Sequence, residues 1–204
     1  MKNKKKAIQV SLGLMIAIIS LGFIPTAYNR DASKWVKVIV SDTMNVPIQK
    51  VWELSGTVNL EEVAGDRKYD NLPKLERTKN IAGDFSKEGD SRIVYFSTGD
   101  TLVETIIAKK APYIFGYEIT KASLPMKRAV HNARGVFEYA ALNSTTTITK
   151  WTYLFNQKNF IMKFFIKRYI NNTHKAWMQD MLKTTKNHVE KAYKAGILQE
   201  TSNI

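Results

Sequence analysis

Hydrophobic and polar positions divide the chain into three stretches with different periods. Residues Ala7–Ile24 are a run of eighteen whose only polar members are Gln9, Ser11 and Ser20. From Lys34 to Asn156 come short segments rich in Val, Ile, Thr and aromatic residues, separated by turn residues, a pattern that predicts strands. From Asn159 to Lys194 there is no proline or glycine. Apolar residues recur there at Phe165, Tyr169, Ala176, Trp177, Met181, Leu182, Val189 and Ala192, mostly three, four or seven apart, which predicts one long helix closed by Gly196.

The middle stretch resolves further. Lys34–Asn45 predicts a first strand, and Pro47 suits the first position of a helix whose apolar side is Val51, Trp52 and Leu54. A second short helical piece is expected over Val58–Ala64. Six strands should follow at Leu75–Ile81, Ser91–Thr98, Thr101–Lys109, Tyr113–Lys121, Val130–Leu142 and Thr145–Asn156, with Gly99-Asp100 a favoured hairpin turn. Strands in succession on short turns make an antiparallel meander, and a long helix after a curved sheet packs across its concave face.

Alternation assigns the faces. Along Thr145–Phe155, Thr147, Thr149, Trp151, Tyr153 and Phe155 share one side, while Ile148, Lys150 and Thr152 share the other. Lys150 prefers water, so the aromatic side points inward. In the preceding strand Ala133, Gly135, Phe137, Tyr139 and Ala141 form one parity, and Asn132, Arg134 and Glu138 the other. Small residues interleaved with Tyr and Phe suit an apolar pocket with a few polar handles; an ordinary filled core with satisfied tyrosines fits the same pattern.

Charge changes the picture only once it is located. The chain of 204 residues carries a formal +13, and residues 1–30 contribute five basic groups and no acid. Residues 158–194 hold nine basic side chains against Asp180 and Glu190 alone. The basicity therefore sits at the extreme N-terminus and along one helix, unlike a nucleic-acid footprint, and no nucleic-acid partner is expected. Lys2, Lys4, Lys5 and Lys6 before the apolar run read as a signal peptide or a retained transmembrane anchor over residues 1–30, which places residues 31–204 outside the cytoplasm. The absence of cysteine removes disulfides, Cys-ligated metals and thiol nucleophiles.

Four segments in order carry a resemblance. Val46-Pro47-Ile48-Gln49-Lys50-Val51-Trp52 precedes Gly89-Asp90-Ser91-Arg92, which is followed by Gly99-Asp100 and Val103-Glu104; then come Tyr117-Glu118-Ile119 and Thr147-Ile148-Thr149-Lys150-Trp151. Together they resemble the START-like, Bet v 1-fold superfamily (SRPBCC), in its polyketide cyclase/dehydrase and lipid-transport branch, over about residues 34–194. No proline stands between Asn156 and Phe160, a departure that leaves the start of the last helix open. The resemblance implies an α+β helix-grip fold: about seven curved antiparallel strands round a long C-terminal helix, two short helices after the first strand, and a hydrophobic cavity between sheet and helix. It makes residues 31–204 a ligand-binding domain.

The pocket-lining candidates are Glu104, Tyr117, Arg134, Phe137, Tyr139, Trp151, Tyr153, Phe165 and Tyr169. Glu104 stands in an apolar strand; on the parity of Leu102 and Ile106 it faces inward, as a ligand contact or acid/base, or else it is a solvated strand residue or pairs with Arg92 or Arg134. His131, His174 and His188 lack the spacing that grips zinc, so neither metal nor cofactor is implied. No nucleophile elbow, phosphate loop or dinucleotide fingerprint occurs, and no catalytic residue is assigned. Around the helix from Phe160 to Ile170, Lys163 and Lys167 form a narrow polar stripe amid a wide apolar circumference. Lys163, Phe164 and Lys167 are thus candidate membrane contacts, the alternative being burial under a loop such as Pro125–Ala129. The leading expectation is binding, with transport, of a hydrophobic or amphipathic lipid-like molecule at a membrane's extracytoplasmic face. The alternative is a polyketide cyclase- or dehydratase-like enzyme using the same cavity.

Overall fold

The computed structural model describes residues 32, 34–58, 60–64 and 72–202, and the apolar run of residues 7–24 lies outside them, so the predicted signal peptide or anchor does too. Among the described residues no helix is long and apolar enough to cross a membrane.

Among the described residues there are seven strands: β1 (Val36–Met44), β2 (Leu75–Ala82), β3 (Ser91–Phe96), β4 (Thr101–Lys110), β5 (Ile114–Thr120), β6 (Val130–Ala141) and β7 (Thr147–Gln157). They form one antiparallel sheet in the order β1-β7-β6-β5-β4-β3-β2, a meander from β2 to β7 to which β1 adds beside β7. Alternation decides what faces the core: in β1, Val36, Val38 and Val40 are buried while Lys37, Ile39 and Ser41 are exposed. Gly99-Asp100 is part of a four-residue loop between β3 and β4 rather than a two-residue hairpin turn. Gly99 sits there at φ 81° and donates its N–H to Phe96 at 2.9 Å, a conformation that favours glycine.

Two short helices follow β1, α1 (Ile48–Ser55) and α2 (Leu60–Ala64). Pro47 is the residue before α1, at φ −57° and ψ 145°, one position earlier than its expected place inside the first turn. Its carbonyl accepts from Val51 N at 2.9 Å, so the proline starts the helix without losing a donor that the helix needs.

The C-terminal segment comprises α3 (Phe160–Tyr169), a π-helical turn (Ile170–His174) and α4 (Lys175–Ser202). Asn159 supplies the start in place of a proline: its side chain accepts from Met162 N at 3.0 Å. Gly196 does not end the helix, which continues to Ser202; a helical glycine costs only about 1 kcal/mol, and the Leu, Gln and Glu that follow favour helix. α4 packs against β1, α1 and α2, with Met178 and Val189 fully buried. Lys186 reaches Asp42 at 3.1 Å, and the Asn45 amide donates to Glu190 at 2.9 Å, fastening α4 to β1.

The outer face of the sheet is polar and internally paired. Lys150 meets Glu138 at 2.6 Å, and Arg134 meets Glu118 at 2.9 Å while covering the Trp35 ring at 4.8 Å. A small apolar patch of Ala32, Val136 and Leu154 lies beneath Trp35 on this side.

Candidate functional site

Sheet and helices enclose a cavity of about 650 Å³. Strands β2 to β7 contribute inward-facing residues. β4 supplies Leu102 and Glu104; β5 supplies Phe115, Tyr117 and Ile119; β6 supplies Phe137 and Tyr139; β7 supplies Trp151, Tyr153 and Phe155. The opposite wall is Tyr169, His174, Trp177 and Met181, and Trp52, Leu60 and Val63 of the short helices close one side. Aromatic rings run across the sheet in contact. Phe137 stacks on Trp151 at 4.8 Å between centroids, Phe115 lies 6.4 Å from Phe137, and Trp52 meets Tyr139 edge-on at 5.8 Å. Such a ladder is the product of period-2 placement on three neighbouring strands.

One glycine makes room for this wall. Tyr117 and Gly135 are register partners on β5 and β6, and a β-carbon at Gly135 would overlap the Tyr117 ring. The ring lies flat in the place that a side chain at 135 would need, which brings its hydroxyl into the cavity's polar row.

That row begins at an ion pair. Arg92 of β3, the register partner of Glu104 on β4, donates from Nε at 2.8 Å and Nη2 at 2.7 Å to Glu104 Oε2. The guanidinium also stacks over Phe85 at 4.0 Å. Burial pushes the Tyr117 hydroxyl's pKa well above the ordinary phenol value, with the Glu104 charge adding to the rise and Arg92 opposing it. Burial likewise raises Tyr153, reinforced by Tyr117, Glu104 and Tyr169. Tyr139 and Tyr169 are raised by burial too. All four phenols are therefore protonated donors at neutral pH.

The row ends at His174, the last residue of the π-turn. Its ring is boxed by Tyr153 (4.6 Å), Trp177 (5.0 Å), Phe155 (5.1 Å) and Tyr169 (5.4 Å). Nδ1 shares a 3.2 Å hydrogen bond with the Tyr169 hydroxyl, while Nε2 is buried without a partner. Burial lowers the His174 pKa to about 3, so the imidazole is neutral.

Of the residues expected to line a pocket, Glu104, Tyr117, Phe137, Tyr139, Trp151, Tyr153 and Tyr169 are in the cavity wall. Arg134 is not: it stands on the outward parity of β6 and is committed to Glu118 and Trp35. Phe165 is not either. The inward stripe of α3 runs through Ile166, with Met162 beside it, and leaves Phe165 exposed. Lys163, Phe164 and Lys167 are all solvent-exposed on α3, and the turn at Pro125–Arg128 leaves them uncovered. Sequence reasoning missed His174, Trp177 and Trp52 as cavity residues and named Arg92 only as a possible partner. The helical period carried back from Met181 through Trp177 reaches His174, so that signal was present.

No protein-family model matches the chain, and no curated protein matches it in sequence. Solved structures do match. Norcoclaurine synthase from Thalictrum flavum, in complex with dopamine and hydroxybenzaldehyde, is similar over 83% of this chain and 94% of its own, at 12% identity and TM-score 0.57. The Zhui aromatase/cyclase from Streptomyces sp. R1128 is similar over 79% and 98%, at 13% identity and TM-score 0.56. Ginseng major latex-like protein 151 from Panax ginseng is similar over 78% and 97%, at 13% identity and TM-score 0.52. The chain thus has the helix-grip fold of the START-like, Bet v 1-like superfamily.

Proposed function

We propose that this domain binds an apolar or amphipathic small molecule in the cavity between sheet and helix. The observation that carries the reading is the roughly 650 Å³ space itself, walled mainly by aromatic and aliphatic side chains, with a polar row from Arg92 to His174 and further polar groups such as Thr57, Lys74 and Thr185 in the lining. Burial of the guest's apolar surface drives binding at about 25 cal/mol per Å². The polar row orients it, and the chemistry of that row favours an uncharged buried portion. Arg92 and Glu104 neutralise each other, His174 is neutral, and the tyrosines keep their protons. Of the proteins of similar fold, one holds dopamine and hydroxybenzaldehyde and another is named an aromatase/cyclase, which supports the class of guest.

The test is titration with N-phenyl-1-naphthylamine, an uncharged fluorescent probe, beside anilinonaphthalene sulfonate, which adds an anionic group to the same aromatic frame. The uncharged probe should bind more tightly by at least about tenfold, equivalent to 1.4 kcal/mol. Val94→Trp with Leu102→Trp, cross-strand partners that both face the cavity, should weaken it. Equal binding of both probes, indifferent to the two tryptophans, would place them on the surface and refute the reading.

We further propose carriage of the guest at the extracytoplasmic face of a membrane, supported by the basic-then-apolar order of residues 2–24. The chain has no cysteine, so Ser144→Cys, in the exposed β6–β7 turn, gives one labelling site. It should react with a membrane-impermeant maleimide in intact cells; labelling only after permeabilisation reverses the orientation.

A cyclase- or dehydratase-like enzyme is the second reading, favoured by the hydrogen-bonded Tyr169–His174 pair beside Tyr153, a polar constellation in the cavity wall, although an imidazole whose pKa burial lowers to about 3 is a weak base at neutral pH. Rings cover His174 on several sides, however, and binding needs no reacting group there.

A further inference from the structure

Helix α3 touches the rest of the domain along a narrow line and exposes most of its circumference. Ile166 is buried, with Met162 and Tyr169 half-buried beside it, while Phe160, Phe164, Phe165 and Ile161 are 83, 67, 54 and 51% exposed. At 100° per residue those four sweep an arc of about 140° on the side away from the protein. Exposed phenylalanines in such a cluster are costly in water and mark an interaction surface.

The charges around the arc say what the surface meets. Lys163 and Lys167 flank one edge and Arg168 falls within the arc, all three exposed. No Asp or Glu occurs between Glu138 and Asp180. Lys158 precedes the helix, and its amide bonds to Ala129 at 2.9 Å, which sets the exposed Lys127 of the neighbouring turn at the same end of the sheet. An apolar protein partner would leave these cations unmatched. A bilayer bearing acidic headgroups matches both parts, taking the rings into the acyl boundary and the lysines among the phosphates.

We propose that α3 is a docking helix for an anionic membrane surface, lying in the interface with Phe160, Ile161, Phe164 and Phe165 inserted. The surface stands on its own observations and does not require that the cavity hold a ligand.

The experiment uses the full chain reconstituted into vesicles, either phosphatidylcholine alone or phosphatidylcholine with phosphatidylglycerol. Phe160→Cys and Phe164→Cys are each labelled with an environment-sensitive dye, since no native cysteine competes. Ser144→Cys, at the far end of β6 and roughly 36 Å away at 3.3 Å per residue, is the control. The dyes on α3 should shift to the blue and be quenched by nitroxide-bearing lipids on the anionic vesicles alone. The control should stay water-like on both. Lys163→Glu with Lys167→Glu should abolish the shift while leaving the far-ultraviolet circular dichroism unchanged. Water-like spectra on both compositions overturn the proposal. So does a blue-shifted spectrum equal on both lipids and indifferent to charge reversal, which would mean that the helix is covered by residues 7–24 or by a second copy.

Discussion

His174 sits against Tyr153, Phe155, Tyr169 and Trp177, with its pKa held at about 3 by burial against 6.5 in an unfolded chain. Between those values the unfolded state binds the extra proton, so stability is complete above pH 6.5 and falls as the pH drops toward 3, by about 1.4 kcal/mol per unit. Urea unfolding at pH 7 and pH 5 should therefore show a loss of about 2 kcal/mol from this residue, absent in His174→Phe; an identical slope in both proteins would refute the assignment. Gly135 poses the opposite kind of constraint. Alanine there would collide with the Tyr117 ring and should cost about 1–3 kcal/mol with a shrunken probe site. Tyr117→Leu should recover part of the loss in a double-mutant cycle, whereas additive losses would show that the ring is not the obstacle. Such residues were only half legible in sequence. Strand parity placed Glu104, Trp151 and Tyr153 correctly because a period of two survives mild irregularity. Gly135 fell on the right face, but nothing local announces which ring fills its space from the next strand.

At the scale of elements, the sheet and the presence of a long last helix were readable, but the phase of that helix was not. Short strands with turn residues between them give boundaries within about two residues, because polar turns and alternating faces are local properties. The helix is broken in phase by its π-turn. Carried back from Met178 at 3.6 residues per turn, the inward stripe would arrive at Lys167 and then between Lys163 and Phe164. The π-turn holds one residue more than an α-turn and shifts the frame by one, so that Ile166 and Met162 face the sheet instead. No single period fits both halves; Phe165 looked like a cavity residue because it stands four before Tyr169, which lies at the edge of the inward stripe, and the same step carries Phe165 past that edge into solvent. Deleting the exposed Asn172 should restore α-helical phase and turn Lys167 inward, costing at least about 2 kcal/mol. Asn172→Ala, which keeps the count, should stay within about 0.5 kcal/mol. A deletion as mild as the substitution in thermal unfolding would mean that the turn does not set the register.

For the molecule as a whole, the order of elements determined the architecture and the hollow did not follow from it. A curved meander and a terminal helix enclose space, but whether side chains fill it depends on how far sheet and helix stand apart, a distance that no sequence pattern encodes. Here large rings from β6 and β7 lie along the wall, and α4 is held off them by the His174 and Trp177 side chains, leaving about 650 Å³. The consequence is a stability that depends on occupancy. A guest that binds only the folded state adds about 2.7 kcal/mol at a free concentration of 100 times its Kd. For a domain of this size that corresponds to a rise of roughly 5–10 °C in Tm. Saturating N-phenyl-1-naphthylamine should raise the melting temperature by that amount, in proportion to the logarithm of its concentration. The same addition to the Val94→Trp, Leu102→Trp variant should do much less, since its tryptophans occupy the space, each shift being read against the same protein without the probe. A rise of equal size in both proteins would locate the stabilisation outside the cavity, and a cavity that gains nothing from a guest would be a packing defect.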